Sequence, residues 1–430
     1  MPTARIESLD REGRGVAHAE GKTVFVDGAV TGEEVEYSSY RKKPSYELAQ
    51  LLRITRESSS RVVPRCAFFG TCGGCSMQHV DERTQVAAKQ RVLEDALWHL
   101  GRVRPETMLR PLHGLPWGYR HRARMSARWV EKKGGSLVGF RERKSSYVTD
   151  MTGCEVMPPA VSGLIVPLRA LIDTLAIRER IPQIEVAVGD ELAVLVLRVL
   201  EPVGADDGER LKRFAEERRV QLWVQPAGPD SARPFWPPDS PDLSYSLPQY
   251  GVRIAFAPTD FTQVNHAVNR LLVGRALGLL DPRPGERIAD FFCGLGNFTL
   301  PVARSGADVL GVEGSAGLLA RAQANAAANG LAGRCRFAMA NLFDPEECAR
   351  LPECDKALLD PPREGAIELV KSFEAKPPGR IVYVACDPAT LARDAGVLVN
   401  ALGYRLAAAG VVNMFPHTSH VESIALFERQ

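Results

Sequence analysis

Residues 287–300 read RIADFFCGLGNFTL, and the join between their two halves decides the fold. RIADFF is a short apolar run with strand character that passes directly into Cys293-Gly294-Leu295-Gly296 and the helix-like NFTLPVARSG. Glycines at such a join let the backbone approach a ligand closely, and the start of the helix offers free N–H groups. Glu313 stands nineteen residues beyond Gly294, at the end of the next strand-like run, ADVLGVEG. An acid there accepts from ribose hydroxyls, so the two features together point to a nucleoside-containing cofactor. Nicotinamide and S-adenosylmethionine both fit, but position 299 is Thr where the dinucleotide fingerprint needs a third glycine, which favours S-adenosylmethionine.

From about Thr259 to the C-terminus, RIADFF, ADVLGVEG, RCRFAMAN, KALLDPP, RIVYVACD and ESIALFE read as strands. NFTLPVARSG, AGLLARAQANAAANG and PATLARDAGVLVNALG read as helices. Alternation of this kind predicts a doubly wound sheet with its ligand at the strand C-termini. LLDPPR puts Asp360 at a strand end, on a loop stiffened by two prolines. VYVACDPATLARD puts Cys386 at another strand end, just before a helix start, where the helix dipole is expected to lower the thiol pKa. Cys335, Cys348 and Cys354 have no such placement, and Cys293 reads as a packing residue. A thiolate suits uracil as a methyl acceptor: its addition at C6 makes C5 nucleophilic, and a base must then remove the C5 proton so that the thiolate can leave. HTSHVESIALFER offers Glu422, His417 and His420 as that base, with Glu422 opening the last strand.

The N-terminal half has a different texture. ARIESL, GVAHA, KTVFV, EEVEYSSY and SYELAQLLRI read as five short strands with glycine turns, the pattern of a small OB-like barrel. RCAFFGTCGGC carries Cys66, Cys72 and Cys75 at spacing suited to zinc or an iron–sulfur cluster. Asp81 caps an expected helix through about Leu100, with Val86, Leu93, Leu97 and Leu100 on one face. Arg102 to Lys144 holds twelve Lys/Arg against three acidic residues, a local basic run in a chain of formal net charge only +2. IEVAVGDELAVLVLRVL reads as a hairpin turning at Gly189-Asp190. Seven prolines between Pro226 and Pro248 argue for an irregular linker. At 430 residues the chain predicts two or three domains. The N-terminus lacks the apolar core of a signal peptide and nine cysteines are an odd number, so a reducing cytoplasmic setting is expected, with no membrane partner.

FFCGLGNFTLPVA, LLDPPR, VYVACDPATLARD, HTSHVESIALFER and DFTQVN at 260–265 resemble the RNA uracil-5-methyltransferases, and the resemblance runs across nearly the whole chain. It implies a multidomain α/β fold: a TRAM-like, OB-type RNA-binding barrel at 1–60, a central α+β iron–sulfur domain at 64–83 and 116–255, and a Rossmann-like methyltransferase domain at 84–115 and 256–430. It implies Cys386 as nucleophile, Glu422 as base, Phe261 as the stacking platform for a flipped uracil, and Gln263, Phe292, Asn297, Glu313, Asn341 and Asp360 as S-adenosylmethionine contacts. It also implies a 4Fe-4S cluster held by Cys66, Cys72, Cys75 and Cys154. A barrel combined with a cluster points to the subtype acting on a specific uridine of 23S rRNA, a monomer without a DNA partner. One departure stands at the nucleophile, where Ala385-Cys386-Asp387-Pro388 replaces the family's usual Ser-Cys-Asn-Pro. Asp387 is read as a helix cap, since an uncapped carboxylate there would raise the thiol pKa.

Three alternatives stay open at this level. Radical RNA methylthiotransferases also join a TRAM barrel to a cluster, though with C-x3-C-x2-C spacing and no fourth cysteine. An RNA-binding protein with a degenerate pocket is the second. A uracil or cytosine methyltransferase acting on another RNA is the third.

Overall fold

The computed structural model describes residues 1–429. At the N-terminus ARIESL is not one strand but two, Thr3–Arg5 and Ser8–Leu9, broken at Ile6 and Glu7. The first pairs with Glu34–Lys42 and the second with Gly15–Ala19, at opposite edges of a six-stranded sheet completed by Lys22–Asp27 and Tyr46–Arg56. One short segment thus joins both edges and closes the sheet. Ile6, at the break, is buried with Val24, Val26, Val35 and Tyr37 in a small core of its own.

A second six-stranded sheet runs in the order Arg233–Trp236, Gln221–Gln225, Ala193–Arg198, Gln183–Val188, Arg122–Val130, Gly135–Gly139. The 184–200 hairpin lies at its centre, Val188 facing Ala193. The proline-rich stretch is not an irregular linker. Arg233–Trp236 pairs at the sheet edge and Leu243–Leu247 pairs with Val252–Phe256. An edge strand has outward N–H groups that need no partner, so Pro234 costs no ladder bond there.

The C-terminal sheet has eight strands in the order Cys335–Met339, Asp308–Glu313, Arg287–Phe291, Lys356–Leu359, Arg380–Ala385, Glu422–Arg429, Tyr404–Val412, Thr107–Met108. Every pairing is parallel except those of Glu422–Arg429, which is antiparallel to both neighbours. Separate cores fill its two faces, so the sheet is covered on both sides. Tyr404–Val412 and the helix His266–Leu280 were not among the expected elements. The alanine-rich YRLAAAGVV carries little strand propensity of its own, and burial between two strands makes it one.

Two pieces of this layer come from the N-terminal half. Thr107–Met108 is the eighth strand, and the helix Glu82–His99 packs beside Pro388–Asn400. Their approach is close: a Cβ on Gly101 would lie 2.4 Å from the Ala392 carbonyl oxygen. Asp81 caps the helix by accepting from the amides of Arg83 and Thr84. Its buried stripe is Gln85, Lys89, Leu93 and Leu97, while Leu100 is exposed and Val86 only partly covered. The expected apolar face was therefore rotated by one residue at its start. Among the described residues no helix is long and apolar enough to cross a membrane.

Candidate active site

The loop after Arg287–Phe291 is bent sharply. Phe292 has φ +63°, and Gly294 and Gly296 have φ +53° and +91°. A left-handed phenylalanine is strained, and such strain clusters at functional loops. Glu313 holds the bend: its Oε2 accepts from the Gly294 amide at 3.1 Å and its Oε1 from Ser315 at 3.0 Å, which leaves lone pairs for further donors. Below it, Asp290 is buried and accepts from the Thr299 hydroxyl, so Thr299 supports the loop where a dinucleotide fold would place glycine. Burial first, then Asp360 and Glu313, push the Asp290 carboxyl up to about 7. Phe292 lies 5.7 Å from Phe343, ring to ring, and the exposed Asn341 accepts from the Phe343 amide. Asn297 is turned inward: its Oδ1 takes the Tyr245 hydroxyl and the Asn269 amide, and its Nδ2 donates to Asn269.

Asp360 is partly buried, and desolvation pushes its carboxyl up to about 7. Gln263 donates to it at 3.4 Å. Phe261, two residues earlier, stands 68% exposed, an unusual position for an aromatic ring.

Ala385 faces Ser423 across the ladder, so Cys386 and Glu422 leave the sheet at the same end, one beyond and one before that pair. Asp387 caps the following helix, its Oδ1 accepting from Ala389 at 2.8 Å. The helix dipole does not govern the thiol. Burial above all, then Glu422 and Asp360, push Cys386 up to about 11, with Arg363 acting the other way. The expectation of a lowered pKa is therefore corrected: desolvation and two carboxyls outweigh a helix N-terminus. Glu422 is 3% exposed and pushed up to about 8 by burial and Asp360, against the pull of Lys89, and its Oε2 has no hydrogen-bond partner.

The two histidines part company. His417 is buried, stacked on Trp117 at 3.9 Å, and held down to about 4 by burial and by Lys89. It is neutral and structural. His420 is exposed and lines a groove of about 960 Å³ with Cys386 and Arg363. The far wall of that groove is Glu7–Glu12 of the N-terminal sheet, and Arg91 and Asp95 of the long helix add a third side. Pattern reading missed Gln85, Lys89 and Arg363. The signal was present: Gln85 and Lys89 share one helical stripe with Leu93 and Leu97.

The four cysteines Cys66, Cys72, Cys75 and Cys154 line one cavity of about 220 Å³, beside Arg120, Phe140 and His420. The loop around them is tied to the basic run: Gly73 donates to the Arg141 carbonyl at 2.9 Å and Arg143 donates to that of Thr71 at 2.8 Å. It is tied equally to the loop before Glu422–Arg429, since Ser76 and Met77 both donate to the His417 carbonyl at 3.0 Å. Burial is the largest cause raising the thiol pKa values of Cys72, Cys75 and Cys154, and neighbouring thiols of the set add to it. Among the described residues no three His, Cys, Asp or Glu side chains converge closely enough to hold a single metal ion.

The sequence profile of the tRNA (uracil-5-)-methyltransferases matches residues 249–341 and 348–430. A 23S rRNA (uracil(1939)-C(5))-methyltransferase RlmD of Nitrosospira multiformis is 62% identical over 428 residues, 99% of this chain and 98% of that protein. The chain belongs to the RNA uracil-5-methyltransferases. A second family member, RlmD of Dechloromonas aromatica, is 58% identical over the full length of both chains. The tRNA (uracil-54, C5)-methyltransferase of Pyrococcus abyssi, solved with S-adenosyl-L-homocysteine, superposes with a TM-score of 0.77 over 99% of this chain and 100% of its own, at 23% identity. That likeness establishes the shared uracil-5-methyltransferase fold, with its Rossmann-like mixed sheet.

Proposed function

We propose that the chain transfers a methyl group from S-adenosylmethionine to C5 of the uridine in 23S rRNA that its relatives are named for, uracil 1939. The observation that carries the reading is the exit of Cys386 and Glu422 from one end of the sheet, beside a groove whose other wall is the N-terminal sheet. Cys386 rests as a thiol at neutral pH and in the complex loses its proton to solvent, with Arg363 favouring the thiolate. Its thiolate adds at C6 of the uracil, and the C5 carbanion character so created attacks the methyl donor. S-adenosylmethionine, when bound, supplies the electrophilic methyl group. Glu422, as carboxylate, then removes the C5 proton, the C6–S electron pair returns to sulfur, and the thiolate leaves.

Gln263, Phe292, Glu313, Asn341 and Asp360 are the proposed cofactor contacts, with Asn297 acting through its backbone because its amide is already engaged. Phe261 stacks on the flipped base. The closed N-terminal sheet serves as a TRAM-type RNA-binding barrel. The proposed domain limits are 1–60, 64–83 with 116–255, and 84–115 with 256–430. The protein works as a cytoplasmic monomer.

Four cysteines fit a 4Fe-4S cluster. Thiols spaced around a shared cavity suit a polynuclear group better than one ion, whose ligands must close to about 2.3 Å. With Cys66, Cys72, Cys75 and Cys154 as ligands such a cluster would keep no open iron, which argues against radical chemistry. Its role is to fix the loop that joins Arg141–Arg143 to His417. Purified protein, S-adenosylmethionine and 23S rRNA lacking the modification test the reading. Nucleoside analysis is expected to find 5-methyluridine at one site, lost in Cys386→Ala. Methylation of cytidine, or of a different RNA only, would overturn it.

A further inference from the structure

Lys89 is 2% exposed on a helix that reaches the methyltransferase layer from the N-terminal half of the chain. Its ammonium donates to Asn413 Oδ1 at 2.7 Å and to the Phe415 carbonyl at 2.8 Å. Asn413 directly follows Val412, the residue paired with Glu422 across the ladder. The ammonium therefore sits at the end of the strand pair from which Glu422 projects. An ammonium has three donors and two are used, while Glu422 Oε2 is buried without a partner.

We propose that Lys89 is the counter-charge of Glu422: it keeps the buried carboxylate able to accept the C5 proton, and so governs how fast the enzyme releases its methylated product. This rests on Glu422 being the base. The surroundings leave Lys89 that task. Asp360, from the loop after Lys356–Leu359, disfavours the Glu422 carboxylate, and Lys89 is the cation that favours it. Cys386, from the end of Arg380–Ala385, gains nothing from a charged Glu422. Of the other cations, Arg363 acts on Cys386 and His420, while His417 stays neutral. Glu422 acts in return on Lys89, which burial pushes down to about 7. A buried lysine is costly unless it serves something, and an apolar side chain of similar length would fill the same space.

The test is single-turnover methylation of 23S rRNA by the full-length protein, following methyl transfer and the covalent protein–RNA adduct on denaturing gels from pH 6 to 9. In Lys89→Met methyl transfer is expected to persist. Adduct is expected to accumulate and release to slow about ten-fold near neutrality, the equivalent of one pH unit in a carboxyl's ionisation. That deficit shrinks as pH rises, and Lys89→Arg restores release. Wild-type release in Lys89→Met, or a defect equal at every pH that Lys89→Arg does not rescue, overturns the proposal. Glu422→Gln separates the two readings. If it traps adduct while Lys89→Met does not, only the role of Lys89 falls; if it turns over freely, Glu422 is not the base. Should Lys89→Met prove insoluble, Asn413→Leu removes the acceptor holding the ammonium and is expected to shift release the same way. An unmoved profile in that variant counts equally against the proposal.

Discussion

Gln85 and His417, 332 residues apart in the chain, grip each other twice: Gln85 Oε1 accepts from the His417 amide at 2.8 Å, and its Nε2 meets His417 Nδ1 at 3.2 Å. The same Nε2 reaches the carbonyls of Met77 and Val80. One buried amide thus ties the long helix, the cysteine loop and the loop before Glu422–Arg429 at a residue whose φ is +64°. Gln85→Leu leaves several buried polar groups unpaired and is expected to cost about 2–3 kcal/mol. Thermal unfolding measures that loss, and kinetics should show kcat falling more than cofactor affinity. Unchanged stability would rule out the clamp.

Glu422 has a folded pKa of about 8 against an ordinary 4.5. A carboxyl raised on folding contributes stability that is complete below pH 4.5 and is lost as pH climbs through 8. Wild-type protein is therefore expected to lose stability relative to Glu422→Gln between those values. Urea unfolding of both proteins at pH 5 and at pH 8.5 measures it, and parallel curves would contradict a buried carboxyl.

The free thiol of Cys386 is pushed up to about 11. Alkylation by iodoacetamide, read by mass spectrometry at that residue, should be slow at neutral pH and rise steeply toward pH 10. Glu422→Gln removes one of the causes and should speed it. Rapid alkylation of the unliganded wild type at pH 7 would mean that the thiolate is already present.

Replacing Cys154 by alanine is expected to abolish bound iron and the visible absorbance of a cluster. RNA binding should weaken and its salt dependence become shallower as Arg141 and Arg143 lose their anchor, while S-adenosylmethionine affinity changes little. Iron retained at full stoichiometry in this variant would remove Cys154 from the ligand set.

Phe261 touches too little of the protein to stabilise it. Phe261→Ala should shift unfolding by no more than about 0.5 kcal/mol. A lost stacking partner costs roughly 1–3 kcal/mol per base, so the effect belongs in kcat/KM for RNA. An equal loss in stability would make the ring structural.

The methyltransferase layer was legible because each of its motifs joins a strand end to a turn or a helix cap, and such junctions are written locally. Asp387 as a cap and Asp81 as a helix start belong to the same class. What escaped depends on partners distant in sequence. The alanine strand Tyr404–Val412 exists only because Glu422–Arg429 and Thr107–Met108 flank it. The Cys386 thiol reverses its expected shift because the fold buries it and brings the carboxyls of Glu422 and Asp360 near it. Gln85 and Lys89 lie on the stripe of Leu93 and Leu97, but their polar partners at 413–417 lie more than three hundred residues away in the chain.

The placement of Glu82–His99 and Thr107–Met108 inside the C-terminal layer bears on how such a protein can be divided or inherited. A gene shortened to begin at residue 256 would encode every cofactor and nucleophile motif, yet leave Asn413 without its ammonium and Tyr404–Val412 as a bare edge. The segment 82–108 is therefore part of the C-terminal layer, although it lies in the N-terminal half of the chain. A split or swapped version must carry residues 82–108 with the C-terminal piece.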